Sequence, residues 1–507
     1  MSGCAHSVGA ADEEVREDVS VQDVLAYYQA ILTFPRSGPS YPSMIDGYLA
    51  EQAKMLGMKA EKDEYGNVTM RSPATPGMEG ARPIILVAYM GAEITNERSH
   101  AFDPYTGGVR LTPSDEIVRA EGTSMGARGA LGMATILAVL ERSRTHGDII
   151  AYFTAGDGSV KSAVDGDAPD ETGQLFPDGA AVIEIGGADT GSINVGAPMA
   201  AVLEASSGTG AATAGNGRAY VIAASGFPGG SARTESTKGY LSPVSVIAKI
   251  LSDAKSAGCV YGLHSFSGGA GACLRPTEAQ ATVILGDYEV KEFRRVFNAA
   301  AKEALDETEG ADVRMIETER PAFVTDEDAA SKALTYIFGL MNLGATEPDG
   351  DFAVVNIGEI SLTPDSFVCR VSVVGHDIWS IEQIVNAQSA FERISGIPVV
   401  RAGMIPGFGN GVTVDGQSPG DADDVADQLK KAYSDVVGDD VRANVTNTLS
   451  PLGQYAASSV WVCGIGVSVN YAGTPNEHFM KDEAAIPANV ILRYFDNIRI
   501  DPPSVRP

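Results

Sequence analysis

Apolar residues recur at helical spacing over residues 19–32 (VSVQDVLAYYQAIL) and again over 44–56, which predicts two amphipathic helices near the start of the chain. Two β-branched, apolar segments follow at 67–71 and 83–90 and read as strands. A glycine-punctuated turn, GTSMGARGALGMA, then feeds a helix that runs to about residue 144. Residues 148–154 and 180–185 are further short apolar runs of strand length. Strands alternating with helices predict an α/β layer structure whose sheet is largely buried.

The pattern changes after residues 208–217 (GTGAATAGNG), a small-residue run that reads as a linker or tight turn. Strands are expected at 219–226 and 281–286, with helices at 243–257 and 290–307. A second round follows, with helices at 332–341 and 380–395 and extended segments at 352–357 and 367–374. Two such rounds suggest a duplicated α+β module. The last hundred residues return to the first style, with an acidic helix at 421–437, a strand at 459–469 and a closing helix at 481–498. The expected organisation is an N-terminal extension (1–18), a first domain in two parts (19–208 and 401–498) interrupted by an inserted domain (209–400), and a tail (499–507).

The chain has 507 residues, a formal net charge of −29 and five cysteines. So acidic a surface repels nucleic acid and anionic membranes. The longest apolar runs fall far short of the ~20 residues needed to cross a bilayer, and no secretory signal is visible in the first residues. An odd number of cysteines, none as Cys-x-x-Cys, argues against a disulfide framework and for a reducing, cytoplasmic setting. The glycine-rich runs at 208–210 and 265–272 lack the strand–turn–helix context and lysine of a phosphate loop and read as flexible turns. The acidic clusters at 421–424 and 435–440 lack the spacing of an EF-hand and read as solvated helix faces.

From Gly122-Thr123-Ser124-Met125-Gly126 onward the text resembles the aminoacyl-histidine (Xaa-His) dipeptidases, a branch of the di-zinc metallopeptidases. Supporting segments lie in order along residues 20–498: PATPGME at 73–79, Gly132-Met133-Ala134, His146-Gly147, Gly229-Gly230, PTEA at 276–279, Pro406-Gly407, Ile465-Gly466 and Pro475-Asn476-Glu477. The resemblance implies an α/β/α sandwich, a mixed sheet between helices, with an inserted α+β lid or dimerisation domain. It also implies two zinc ions held by histidines and carboxylates, a zinc-activated water, a glutamate base and a lid histidine.

Mapped onto this chain, those roles meet other residues. The five ligand positions are Tyr89, Arg128, Gly158, Gly186 and Gly473. The ligand-orienting aspartate falls at Gly91, the general base at Asp157 and the lid histidine at Ser231. A guanidinium stays charged near neutral pH and repels divalent metal, so Arg128 is expected to pair with Asp157 in the vacated cleft. None of the six histidines falls at a ligand position. The reading is a non-catalytic member with no cofactor, used for self-assembly, for binding a peptide or amino acid, or for regulation. The alternative is an active hydrolase with new ligands drawn from Asp157, Asp189, Glu184 and Glu477, a set suited to magnesium, calcium or manganese.

Overall fold

A computed structural model describes residues 18–498 apart from 38–41, 93, 97–99, 156–176, 178, 232–240, 270, 309, 342, 347–351, 410–421, 447–448, 451–452 and 454–460. An eight-stranded mixed sheet runs, edge to edge, through Ala60–Lys62, Val68–Ser72, Ile149–Thr154, Ile84–Tyr89, Ala181–Ile185, Trp461–Ile465, Ser192–Gly196 and Arg442–Val445. Its centre is parallel: Ile84–Tyr89 pairs in parallel with both Ile149–Thr154 and Ala181–Ile185, which pairs in parallel with Trp461–Ile465.

The central strands are apolar throughout because both faces are covered. Ile84, Leu86 and Ala88 face one core, while Ile85 and Val87 face another. The larger core is closed by the helices Val21–Leu32, Ala127–Arg142, Ala422–Val437 and Ile486–Asn497. On the second face Ile85, Val87, Ile150, Tyr152 and Val182 pack with Ala197 and Phe408. The first helix begins at a capping box: the Ser20 hydroxyl accepts from the Asp23 amide, and the Asp23 carboxylate accepts from the Ser20 amide. Its apolar stripe of Val24, Leu25, Tyr28, Ile31 and Leu32 is wholly buried.

The Ala127–Arg142 helix lies unusually close to the sheet. A Cβ at Gly132 would stand 2.4 Å from the Ile185 carbonyl oxygen, and one at Gly129 would stand 2.6 Å from the Tyr89 carbonyl oxygen. Only hydrogen fits at those two positions, so these glycines set the distance between helix and strand ends.

The second sheet has nine strands and is built largely from antiparallel pairs. One half comprises Asp312–Thr318, Arg218–Ser225, Ala279–Leu285 and Tyr261–Gly269; the other comprises Phe352–Leu362, Ser366–Gly375, Met199–Gly208 and Val399–Ile405, with Gly344–Thr346 paired to Phe352–Leu362. The halves join where Tyr261–Gly269 pairs with Phe352–Leu362. Helices Pro243–Ser256, Glu289–Glu307, Glu327–Met341 and Ile378–Ser395 bury one face. The repeat of strands and helices expected from the sequence is therefore present in space. The 208–217 run is not a linker: it ends one strand and holds another, Ala211–Thr213, which pairs with Phe323–Thr325. Likewise much of the 265–272 run belongs to the Tyr261–Gly269 strand. No helix among the described residues is long and apolar enough to cross a membrane.

Candidate functional site

The parallel strands Ile84–Tyr89, Ala181–Ile185 and Trp461–Ile465 deliver their C-terminal ends to one edge of the first sheet, where α/β folds commonly place ligands. The N-terminus of the Ala127–Arg142 helix meets them there. Two buried charges of opposite sign organise this junction through backbone groups.

Arg36, only 2% exposed, spreads its guanidinium over five carbonyls. Nε donates to Met90 (2.9 Å), Nη1 to Met125 (3.2 Å) and Gly126 (2.8 Å), and Nη2 to Tyr89 (3.4 Å) and Gly91 (3.1 Å). It thereby ties the end of the strand to the turn that starts the helix. Glu477, also 2% exposed, does the complementary work. Its Oε2 accepts from the amides of Met125 (2.5 Å) and Gly126 (3.1 Å), and its Oε1 accepts from Ala127 (2.9 Å). A helix N-terminus offers unsatisfied amides and a positive dipole end, so a buried carboxylate is stabilised there. Thr95 completes the frame: its hydroxyl donates to the Gly473 carbonyl (2.7 Å), and its amide donates to the Ser124 hydroxyl (2.9 Å).

Within this frame stand the residues singled out from the sequence. Tyr89 closes its strand, with its phenol beside the Glu184 carboxyl. Arg128 occupies the first turn of the helix. Its Nη1 donates to the Gly186 carbonyl at 3.0 Å and its Nη2 pairs with Asp189 at 2.9 Å. Asp189 is the carboxylate described beside Arg128; Asp157 and Gly158 lie outside the described residues, and with them the expected Arg128–Asp157 pair. The guanidinium retains substantial exposure, so it is a cleft-wall cation rather than a sealed one. Gly186 adopts φ 109°, and a Cβ there would press on the Arg128 backbone at 2.9 Å. Gly91 contributes its carbonyl to Arg36, and Gly473 contributes its carbonyl to Thr95. Ser231 lies in the short strand Gly230–Ser231, paired with Leu274–Arg275 of the second unit.

Burial pushes the Glu184 carboxyl up to about 7, against the Tyr89 phenol beside it, the nearby charge of Arg128 and the hydrogen bond from Ser450. The Ser450 hydroxyl lies 3.4 Å from its Oε2. Glu184 thus titrates near neutrality at the ends of the central strands. Cys463, on the neighbouring strand, is buried, and that burial pushes its thiol up to about 12. Four cysteines are free and buried among the described residues: Cys259, Cys273, Cys369 and Cys463.

Sequence reasoning missed Arg36 and Ser450 here. Arg36 follows an amphipathic helix in an unremarkable Phe-Pro-Arg, and only its burial reveals it.

At the described positions that the resemblance maps to metal ligands stand a phenol, a guanidinium and glycines, and Glu477 has both oxygens committed to amides. Among the described residues no three of His, Cys, Asp and Glu converge as metal donors. Of the histidines, His146, His264 and His478 each use Nδ1 on a backbone carbonyl, at 2.7, 2.8 and 2.9 Å.

No family model matches the chain. One stretch of 145 residues is 34% identical to the cytosol non-specific dipeptidase of Escherichia coli (strain K12), spanning 27% of this chain and 28% of that protein. The chain thus covers under a third of that relative in the alignment. The whole fold is similar to the crystal structure of aminoacylhistidine dipeptidase from Vibrio alginolyticus, with a TM-score of 0.63 and 17% identity over 94% of this chain and 96% of that one. The chain therefore shares its fold with the aminoacylhistidine dipeptidase and, over 145 residues, its sequence with the cytosol non-specific dipeptidase.

Proposed function

We propose that this chain is a non-catalytic member of its family, which keeps the dipeptidase fold for binding or assembly and has lost the di-zinc site. The observation that carries this reading is Arg128. A guanidinium anchored on Gly186 and Asp189 stands where the resemblance calls for a carboxylate bridging two metals. Its charge repels divalent cations and attracts carboxylates. The cleft then suits the carboxylate of a peptide or amino acid, held but not cleaved. Glu184 stands beside it as a carboxyl that gains or loses its proton near neutral pH.

A homo-oligomer in the cytoplasm is the setting we propose, with the second sheet unit as the self-contact. The competing reading is an active hydrolase with a rearranged metal site, and it draws on the relative's name, a dipeptidase. Against it, Glu477 is occupied by helix amides and Asp189 by Arg128. The deciding experiment measures metal content of the purified full chain together with hydrolysis of Xaa-His dipeptides. The proposal expects substoichiometric metal and no turnover. Stoichiometric metal with turnover that R128A alters would overturn it.

A further inference from the structure

A cavity of about 450 Å³ opens beside the loop that leads into the candidate site, lined by His100, Phe102, Asp103, Arg110, Glu121 and Thr123 among others. Three observations mark it as a place for a ligand. Thr123 is 1% exposed, yet its hydroxyl has no hydrogen-bond partner among the described residues. A buried hydroxyl without a partner is disfavoured by roughly 1–3 kcal/mol, so such groups are uncommon unless something else completes them. Arg110 and Glu121 flank the cavity just beyond the ends of two paired strands, Leu111–Thr112 and Ile117–Ala120: Leu111 pairs with Ala120, which sets these two opposite one another. The Glu121 amide donates to the Arg110 carbonyl, but the side chains form no ion pair with each other. Asp103, by contrast, is spent on its own turn, accepting from the Tyr105 amide and the Thr106 hydroxyl.

The wall is also closely fitted. Gly122 adopts φ 66°, and a Cβ there would strike the His100 ring at 2.8 Å. The His100 and Phe102 rings lie 6.3 Å apart, giving a partly apolar side to the cavity.

We propose that this cavity binds a small zwitterion of the size of a free amino acid or dipeptide. Its carboxylate pairs with Arg110, its ammonium with Glu121, and one of its polar atoms completes the Thr123 hydroxyl. Charge-assisted hydrogen bonds at both ends give the selectivity, because blocking either terminus leaves one cavity charge without its partner. Thr123 leads directly into Ser124, whose hydroxyl and amide bond Thr95, and then into Met125 and Gly126, which Arg36 and Glu477 hold. An occupant would therefore touch the segment that frames the candidate cleft. The inference stands on this cavity alone and not on the loss of zinc.

The test is saturation-transfer NMR and thermal shift on the full chain with glycylglycine, N-acetylglycylglycine and glycylglycinamide. Glycylglycine should bind saturably, and each blocked derivative about tenfold or more weakly. R110Q and E121Q should each weaken glycylglycine by about tenfold, and T123V by several-fold without lowering the melting temperature. Glycylglycine should still bind saturably in an R128Q background, and R110Q and E121Q should still weaken it about tenfold there, which separates the cavity from the cleft. Absence of saturable binding up to about 10 mM overturns the proposal, as does equal binding of the blocked derivatives. Loss of binding in R128Q with none in R110Q also overturns it, by moving the ligand to the cleft.

Discussion

Glu477→Gln tests whether the junction of strand ends and helix is held by backbone clamps. The native carboxylate accepts three amide hydrogen bonds in a site that is 2% exposed. Glutamine keeps one oxygen for the Met125 and Gly126 amides, but must turn its –NH₂ toward the Ala127 amide or the reverse. One charge-assisted bond is lost, about 1.5–3 kcal/mol, and a donor then faces a donor. Removing the negative charge from the helix N-terminus adds about 0.3–2 kcal/mol. The sum is about 2–5 kcal/mol, which in a unit of this size lowers melting by roughly 5–15 °C. The chain has two tryptophans, Trp461 in the first sheet and Trp379, which is 81% exposed on a helix of the second unit. In a W379F background the fluorescence therefore reports the first sheet alone, and the unfolding midpoint of E477Q can be compared directly. A loss below about 0.5 kcal/mol, the scatter of ordinary surface substitutions, would refute the clamp.

Other expectations follow from the same geometry. Gly132→Ala should destabilise by about 1–3 kcal/mol in the same fluorescence assay: alanine's helix-propensity gain of about 1 kcal/mol is outweighed by a Cβ 2.4 Å from the Ile185 carbonyl oxygen. Glu184 binds its proton more tightly when folded, so the unfolded chain releases it first as pH rises from about 4.5. The native state should thus lose stability between that pH and about 7, by on the order of 1–2 kcal/mol after allowing for partial exposure, and E184Q should flatten this slope in urea titrations across pH. R128A should change stability by less than about 1 kcal/mol, because its pair with Asp189 is solvent-exposed, while abolishing any binding of carboxylate ligands in the cleft measured by calorimetry. Dialysis against a chelator should leave the Trp461 unfolding midpoint unmoved; a marked fall would mean that a metal, not Glu477 and Arg36, holds the junction.

The central strands were legible because continuous β-branched runs bounded by Asp and Gly have few other outcomes. Residues 148–154 and 180–185 match the strands Ile149–Thr154 and Ala181–Ile185 to within a residue. Glycine-rich strands were not legible. Gly268 lies where a Cβ would be 2.7 Å from the Ala279 side chain, and Gly269 where one would be 2.0 Å from the Gly358 carbonyl oxygen. One sequence cannot tell a glycine chosen for close approach from one chosen for a turn, so a paired strand read as a flexible loop. Met199–Gly208 failed for a related reason: buried along most of its length on both faces, it lacks the alternation that marks a half-exposed strand. At the site, Tyr89, Arg128 and Gly186 could be placed by their position after strands and turns. The bonds among them could not, because Arg128 to Asp189 spans 61 residues and Ser450 to Glu184 spans 266.

Arg36 and Glu477 also explain how such a cleft can change its chemistry without losing its shape. Arg36 takes the carbonyls of Tyr89, Met90, Gly91, Met125 and Gly126; Glu477 takes the amides of Met125, Gly126 and Ala127. Every one of those partners is a backbone group, so none depends on which side chain projects into the cleft. A metal centre ties strand ends together through side-chain ligands, and substituting one ligand weakens the tie. Here the tie runs through the main chain on either side of the Gly126 turn. Substitutions at Tyr89 or Arg128 therefore alter what the cleft attracts while the turn and the helix start stay in register. On this argument R36A should be far more damaging to the fold than R128A, since it takes a donor from five carbonyls in a buried junction, of which Gly126 keeps the Ala130 amide, and each group left unsatisfied costs about 1–3 kcal/mol where water cannot enter. Equal stabilities for the two variants would show that the frame rests on the cleft side chains after all.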